Sequence, residues 1–242
     1  MYSDEEAAAL YDLLNPWGPS DDFYLALVME AQSVLDIGCG TGSLLRRARL
    51  AGHAGRLCGV DPDAASLAVA RCHAEIEWKL CAASSVTWDS EFDLATMTGH
   101  AFQALVGDDE LRASLAAIRR TLIDGGRFAF ETRNPRARAW ERWIPTNAMD
   151  VVDPSGRPVR ISHHVESVVG DVVTFTETTS DPGGCRLRVD RASLRFLDAD
   201  ALARILAEAG FEIEAQYGDW GRGRLVRESP EIVTIARVEK RG

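Results

Sequence analysis

Between residues 33 and 131, short apolar runs alternate with segments whose apolar residues recur every three or four positions. The runs Ser33–Ile37, 56–60, 76–81, Phe92–Met97 and 127–131 read as buried strands, because nearly continuous apolar stretches of this length suit a sheet covered on both faces. Between them, 44–50 and the Ala-rich 63–72 read as helices, the second with Asp63 as its N-cap. Leu111, Leu115, Ile118 and Leu122 share one helical face, and Gly125-Gly126 is expected to close that helix. Strand–helix alternation of this kind predicts right-handed crossovers and a parallel sheet.

The period changes after about residue 145. Segments 159–169, 172–179 and 186–195 alternate apolar and polar residues, with Gly170-Asp171 and Pro182-Gly183-Gly184 between them as turns. They predict a three-stranded antiparallel insertion, too short to fold alone and therefore packed on the main sheet. The earlier pattern then resumes. Asp198 should cap a helix carrying Leu202, Ile205 and Leu206, with Gly210 at its end. Phe211–Tyr217 and Glu231–Val238 are the last two strands, joined by a polar loop over 218–230. The expected organisation is an N-terminal helical segment over 1–30, a main domain over 31–145 and 196–242, and an insertion over 146–195 that caps the substrate site.

Composition narrows this reading. The 242 residues suffice for one large domain, and 46% hydrophobic with 26% charged residues is ordinary for a globular chain. A formal net charge of −10 argues against nucleic-acid partners, which need clustered Lys and Arg. Five cysteines, none in a C-x-x-C pair, suggest neither a disulfide framework nor a zinc site. The acidic start Ser3-Asp4-Glu5-Glu6 is unlike a signal peptide, and no apolar run nears the roughly 18 residues of a membrane span. A cytoplasmic protein is expected, with monomer and homodimer both open.

The chemistry concentrates where Val34-Leu35-Asp36-Ile37 runs into Gly38-Cys39-Gly40-Thr41-Gly42. Such a strand–glycine loop–helix lets backbone approach a ligand closely. A nucleoside triphosphate is excluded by the missing Gly-Lys-Ser/Thr. A dinucleotide fits poorly: Ser43 stands at the third small position, and the Asp36 carboxylate would repel a pyrophosphate. Asp36 suits an ammonium group instead. Asp61, in Gly59-Val60-Asp61-Pro62, ends the second strand and could accept both hydroxyls of a ribose.

These stretches resemble the class I S-adenosylmethionine-dependent methyltransferases. Segment 34–42 is similar to their first motif, 57–63 to their second, Phe92-Asp93-Leu94 to their fourth, and Gly125-Gly126 to the turn before their fifth strand. The resemblance implies a doubly wound, seven-stranded, mostly parallel Rossmann-like sheet with Glu231–Val238 as its antiparallel strand. It implies S-adenosyl-L-methionine as cofactor, held by Asp36, Gly38, Cys39, Gly40, Asp61, Pro62 and Thr98. Many relatives carry an acidic residue after the third strand. Here that position is Ala82, so the adenine would rest on backbone groups of Ala82 and Ala83.

The sequence Thr98-Gly99-His100 after the fourth strand resembles small-molecule N-methyltransferases, including those acting on aminosugars, which also carry an antiparallel insertion after the fifth strand. His100 is the candidate base or orienting group, against a structural histidine. In relatives an N-terminal helical lid brings an aromatic hydroxyl to the site. Tyr11 is the candidate for that role, and Tyr24 a poorer one for a cofactor contact. Arg133 could hold a carboxylate or sugar oxygen, or pair with Glu131 or Asp93. Trp140 and Trp143, placed on a helix, favour core packing over a substrate pocket. His163 and His164 point to opposite faces of a strand, so no metal site is expected. The leading reading is methyl transfer to N or O of a small molecule. The alternatives are a cofactor-binding protein of the same fold without transfer, and a nicotinamide-dependent reductase.

Overall fold

The computed structural model describes residues 2–239. Its main sheet has seven strands: β1 (Ser33–Ile37), β2 (Arg56–Asp61), β3 (Glu77–Leu80), β4 (Phe92–Met97), β5 (Leu122–Arg133), β10 (Phe211–Tyr217) and β11 (Glu231–Val238). They lie in the order β10-β11-β5-β4-β1-β2-β3. All neighbours are parallel except β11, which runs antiparallel to both β10 and β5. The strand order reverses between β1 and β4. That is where a crevice opens at the carboxyl ends of a doubly wound sheet.

Strand alternation assigns each side chain to one of two cores. Val34, Leu57, Leu94, Ala129 and Val233 face Phe23, Leu27 and Val28 of α2 (Pro19–Glu30) and Leu44, Leu45 and Ala48 of α3 (Ser43–Leu50). Leu35, Ile37, Val60, Ala95 and Phe130 face Leu111, Leu115 and Ile118 of α5 (Asp108–Thr121) and Leu202 and Leu206 of α6 (Ala199–Glu208). α4 (Ala64–Ala70) covers the sheet edge. Its N-cap Asp63 accepts from the amides of Ala65 and Ser66, as the sequence pattern anticipates.

Several expectations are corrected. The α5 helix ends at Thr121, and Leu122 begins β5 rather than extending the helical face. Gly125-Gly126 lie inside β5, where the register against β4 slips between Phe92 and Leu94. Gly125 has φ +76°, so the pair forms a bulge in the strand instead of a helix cap. The insertion has four strands: β6 (Met149–Val152), β7 (Pro158–Val169), β8 (Val172–Ser180) and β9 (Arg186–Arg195). β6 escaped notice because it is four residues long and mostly exposed.

A further correction concerns what the insertion packs against. Val159 and Ile161 form a small core with Tyr2 and with Leu10 of α1 (Asp4–Leu14), a helix closed by a Ser3–Glu6 capping box. Polar links reinforce this contact: the Tyr2 hydroxyl donates to Asp153 at 3.0 Å, Arg157 pairs with Glu6 at 2.6 Å, and Arg188 with Asp4 at 2.6 Å. The insertion and α1 are thus one layer. Trp140 and Trp143 sit on short turns rather than on a regular helix, packed on Phe196 and Phe175.

Candidate functional site

The loop after β1 crosses to β2: the amides of Gly38 and Cys39 donate to the Val60 carbonyl at 2.8 and 3.1 Å. Gly38, Gly40 and Gly42 all take left-handed φ values, between 53° and 78°. Gly40 is the telling one. A Cβ there would meet nothing within 4 Å, so the loop presents bare backbone to open space.

Two carboxylates stand on β1 and β2, the strands that this loop bridges. Asp36 is fully buried and accepts a hydrogen bond from the Thr96 hydroxyl at 2.7 Å. Burial pushes its pKa up to about 7. The Thr96 hydrogen bond opposes that shift, and the nearby charges of Asp61 and Glu131 add to it. Asp61 accepts from the Gly40 amide at 2.8 Å through one oxygen and from the Asp63 amide at 2.7 Å through the other. Burial raises its pKa, against the pull of those two amides. Each carboxylate oxygen has a second lone pair, so ribose hydroxyls can still be accepted. Pro62 follows, exposed.

Beyond β3, Cys81 pairs its amide with the Asp61 carbonyl at 3.1 Å, leaving Ala82 and Ala83 at the start of a short turn over Ala83–Ser85. No acceptor meets their two amides among the described residues, as an adenine edge requires. Cys39 is buried, and desolvation drives its thiol pKa up, so it packs and does not react. The site therefore fits an adenosyl amino acid: a buried carboxylate for an ammonium, a second for a ribose, bare glycine backbone between them, and free amides at the far end.

Thr98 and Gly99 leave the end of β4, and His100 follows in the left-handed region with φ 63°. That strained turn is held by Glu131, which accepts the His100 amide at 2.6 Å and the Tyr24 hydroxyl. Burial raises the pKa of Glu131 and, more strongly, that of Tyr24. Tyr24 is thereby a buried brace for Glu131. The His100 ring meets Glu231 through Nε2 at 3.0 Å. The Tyr11 hydroxyl lies 3.2 Å from the point where a Gly99 Cβ would stand, so α1 reaches the same turn. The next residue, Asp12, accepts from Thr41 of the glycine loop at 2.6 Å. One turn of α1 therefore touches both loops that end β1 and β4.

Arg133 pairs with neither Asp93 nor Glu131. Asp93 sits at the other end of β4, accepting from the amides of Gln32 and Ser33. His163 pairs with Glu177 at 2.8 Å, and no cluster of three metal-ligating side chains exists among the described residues.

Comparison with known proteins identifies the family. Residues 34–126 match the family model described as a methyltransferase domain. Over 168 residues the chain is 31% identical to 2-phytyl-1,4-naphtoquinone methyltransferase of Thermosynechococcus vestitus, covering 63% of this chain and 73% of that one. The chain belongs to the S-adenosylmethionine-dependent methyltransferases. Two solved structures share the fold of this methyltransferase across nearly its whole length. The CcbJ methyltransferase of Streptomyces caelestis has TM-score 0.76 at 18% identity, with coverage of 98% and 100%. CalS10, an amino pentose methyltransferase from Micromonospora echinaspora, has TM-score 0.70 at 22% identity, with 98% of each chain covered. S-adenosylmethionine is the methyl donor, and nothing found supports a cofactor-binding protein without transfer. None of the described helices is long and apolar enough to cross a membrane.

Sequence reasoning missed Asp12, Thr96 and Glu231, and took Glu131 only as a partner for Arg133. Their roles depend on partners 29 to 131 positions away, which no local pattern signals.

Proposed function

We propose that this methyltransferase methylates the nitrogen or oxygen of a small molecule lying between His100, Tyr11 and the insertion. The observation that carries the reading is the convergence of His100 and the Tyr11 hydroxyl on the Gly99 turn, at the switch point of the sheet. Asp36, Gly38, Cys39, Gly40, Asp61, Pro62, Ala82, Ala83 and Thr98 form the wall that would hold S-adenosylmethionine, which supplies a methyl already activated by a positive sulfur. The protein then has to align the acceptor, exclude water and take up a proton. His100 is the group for the proton, oriented by Glu231 at its Nε2. Tyr11 orients the acceptor. Its ring is half exposed but its hydroxyl is desolvated, which raises the pKa further above neutral and keeps it a hydrogen-bond donor. The α1 helix and the insertion, joined through Tyr2 and Arg157, would exclude water as one cover. A small acceptor is favoured by the net charge of −10, which disfavours nucleic acid, and by the likeness to a quinone methyltransferase and an amino pentose methyltransferase.

Calorimetric titration with S-adenosylmethionine, S-adenosylhomocysteine and NADH tests the cofactor assignment, with binding expected for the first two alone. His100→Ala should lower turnover by roughly 100-fold or more, the usual scale of a positioned proton acceptor, while S-adenosylhomocysteine affinity stays within about threefold. Normal turnover in that variant would return His100 to a purely structural role.

A further inference from the structure

Arg133, at the end of β5, is a half-buried cation without an ion-pair partner. Among the described residues no carboxylate oxygen comes within 4.0 Å of its guanidinium. Its side chain makes one protein hydrogen bond, from Nη1 to Gln103 Oε1 at 3.1 Å. Its Nε and Nη2 donors have no protein acceptor and are not among the nitrogens sealed from solvent. Desolvation lowers its pKa, and the nearby charges of Glu231 and Glu131 offset that cost only in part.

The position is built rather than accidental. Gln103 is fully buried, with its amide nitrogen fixed on the Arg195 carbonyl at 2.9 Å, so its oxygen has to face Arg133. The Trp143 ring lies under the guanidinium, 5.5 Å from its carbon, and Phe175 continues that aromatic surface. Glu231 stands opposite Arg133 in the β11–β5 register and would be the natural ion-pair partner. Its carboxylate turns instead to His100 at 3.0 Å. The chain thus spends its one cross-strand carboxylate on the histidine and leaves the planar five-donor fork of the arginine open beside it.

We propose that Arg133 anchors a carboxylate on the methyl acceptor, so that the substrate is a carboxylate-bearing amine with an apolar or aromatic body. This rests on the methyl-acceptor site proposed above. A monoanion fits better than a phosphate dianion, because Glu131 and Glu231 crowd the same corner and one arginine balances only one added charge. Those carboxylates also favour the ammonium end of such a molecule near His100, while Trp143 and Phe175 face its body.

The test uses the S-adenosylhomocysteine-loaded protein and two probes of one shape, 3-phenylpropanoate and 3-phenylpropanamide, titrated by ligand-observed NMR. In the native protein the carboxylate should bind at least about tenfold more tightly than the amide, the scale of one charge-assisted pair. Arg133→Gln should bring the two within about twofold while S-adenosylhomocysteine affinity is kept. Arg133→Lys, which keeps the charge but not the fork, should reduce the preference at least threefold, roughly, and carries the test if the Gln variant does not melt cooperatively. Equal binding of the probes, binding of neither, or a preference that survives both variants overturns the proposal. Failure of the native protein to bind S-adenosylhomocysteine would instead remove the methyltransferase site itself, so the two failures are distinguishable.

Discussion

Asp61→Ala should lower affinity for S-adenosylhomocysteine by roughly 100-fold or more, since charge-assisted hydrogen bonds of this kind contribute about 1.5–3 kcal/mol and two losses act together. The first is the acceptor for the ribose hydroxyls. The second is internal: Asp61 joins the glycine loop to the second strand by accepting the amides of Gly40 at 2.8 Å and Asp63 at 2.7 Å. Alanine leaves both amides without a partner, and the Gly40 turn loses the contact that fixes its left-handed backbone. Asp61→Asn should fare little better. An amide offers one acceptor oxygen, and its NH2 group would face a backbone N–H. Calorimetry on both variants, with a thermal melt to show that each is folded, checks this. Affinity within about threefold of the native protein in either would overturn the ribose assignment.

Much of this site was legible because its parts are local. The strand–glycine loop–helix and the strand-ending Gly-Val-Asp-Pro put Asp36, Gly40 and Asp61 in place from spacing alone, and the Asp63 and Asp198 caps announce their helices. What escaped is non-local or a matter of competing periodicities. Leu122 continues the spacing of Leu111, Leu115 and Ile118, yet pairs with Phe92 in the sheet. Tertiary pairing overrode the helical face, and the glycine pair absorbed the mismatch as a bulge. The Tyr24–Glu131–His100 link joins α2, β5 and the turn after β4, three segments whose sequences give no sign of one another. The same holds for the insertion. Its apolar stripe was visible, but part of what it covers is α1, because Tyr2, Leu10, Val159 and Ile161 complete one another.

Asp36→Asn should make the protein more stable and a poorer binder of its cofactor. Asp36 is an acid whose pKa in the folded protein rises from 3.8 to about 7, through burial above all. Below pH 3.8 both folded and unfolded chains carry the proton, and the burial penalty on the carboxylate is absent. Between the two values the unfolded chain releases a proton that the folded one retains, so stability falls as pH rises. Above about pH 7 the loss is complete, on the order of 2–4 kcal/mol. Asparagine keeps an oxygen for the Thr96 hydroxyl and has no charge to desolvate. The variant should therefore melt several degrees above the native protein at pH 8 and level with it near pH 4. Cofactor binding should move the other way. A carboxylate facing an ammonium has to be ionised, so native affinity for S-adenosylhomocysteine should fall about tenfold per unit as pH drops below 7. Asparagine should bind weakly at every pH, with that slope gone. Melts across pH 4–8 and titrations at pH 6, 7 and 8 measure both halves. A variant that melts lower at pH 8 would mean that Asp36 is ionised and well paired inside the fold. A native affinity flat in pH would remove the ammonium from its side and leave Asp36 as a structural acid.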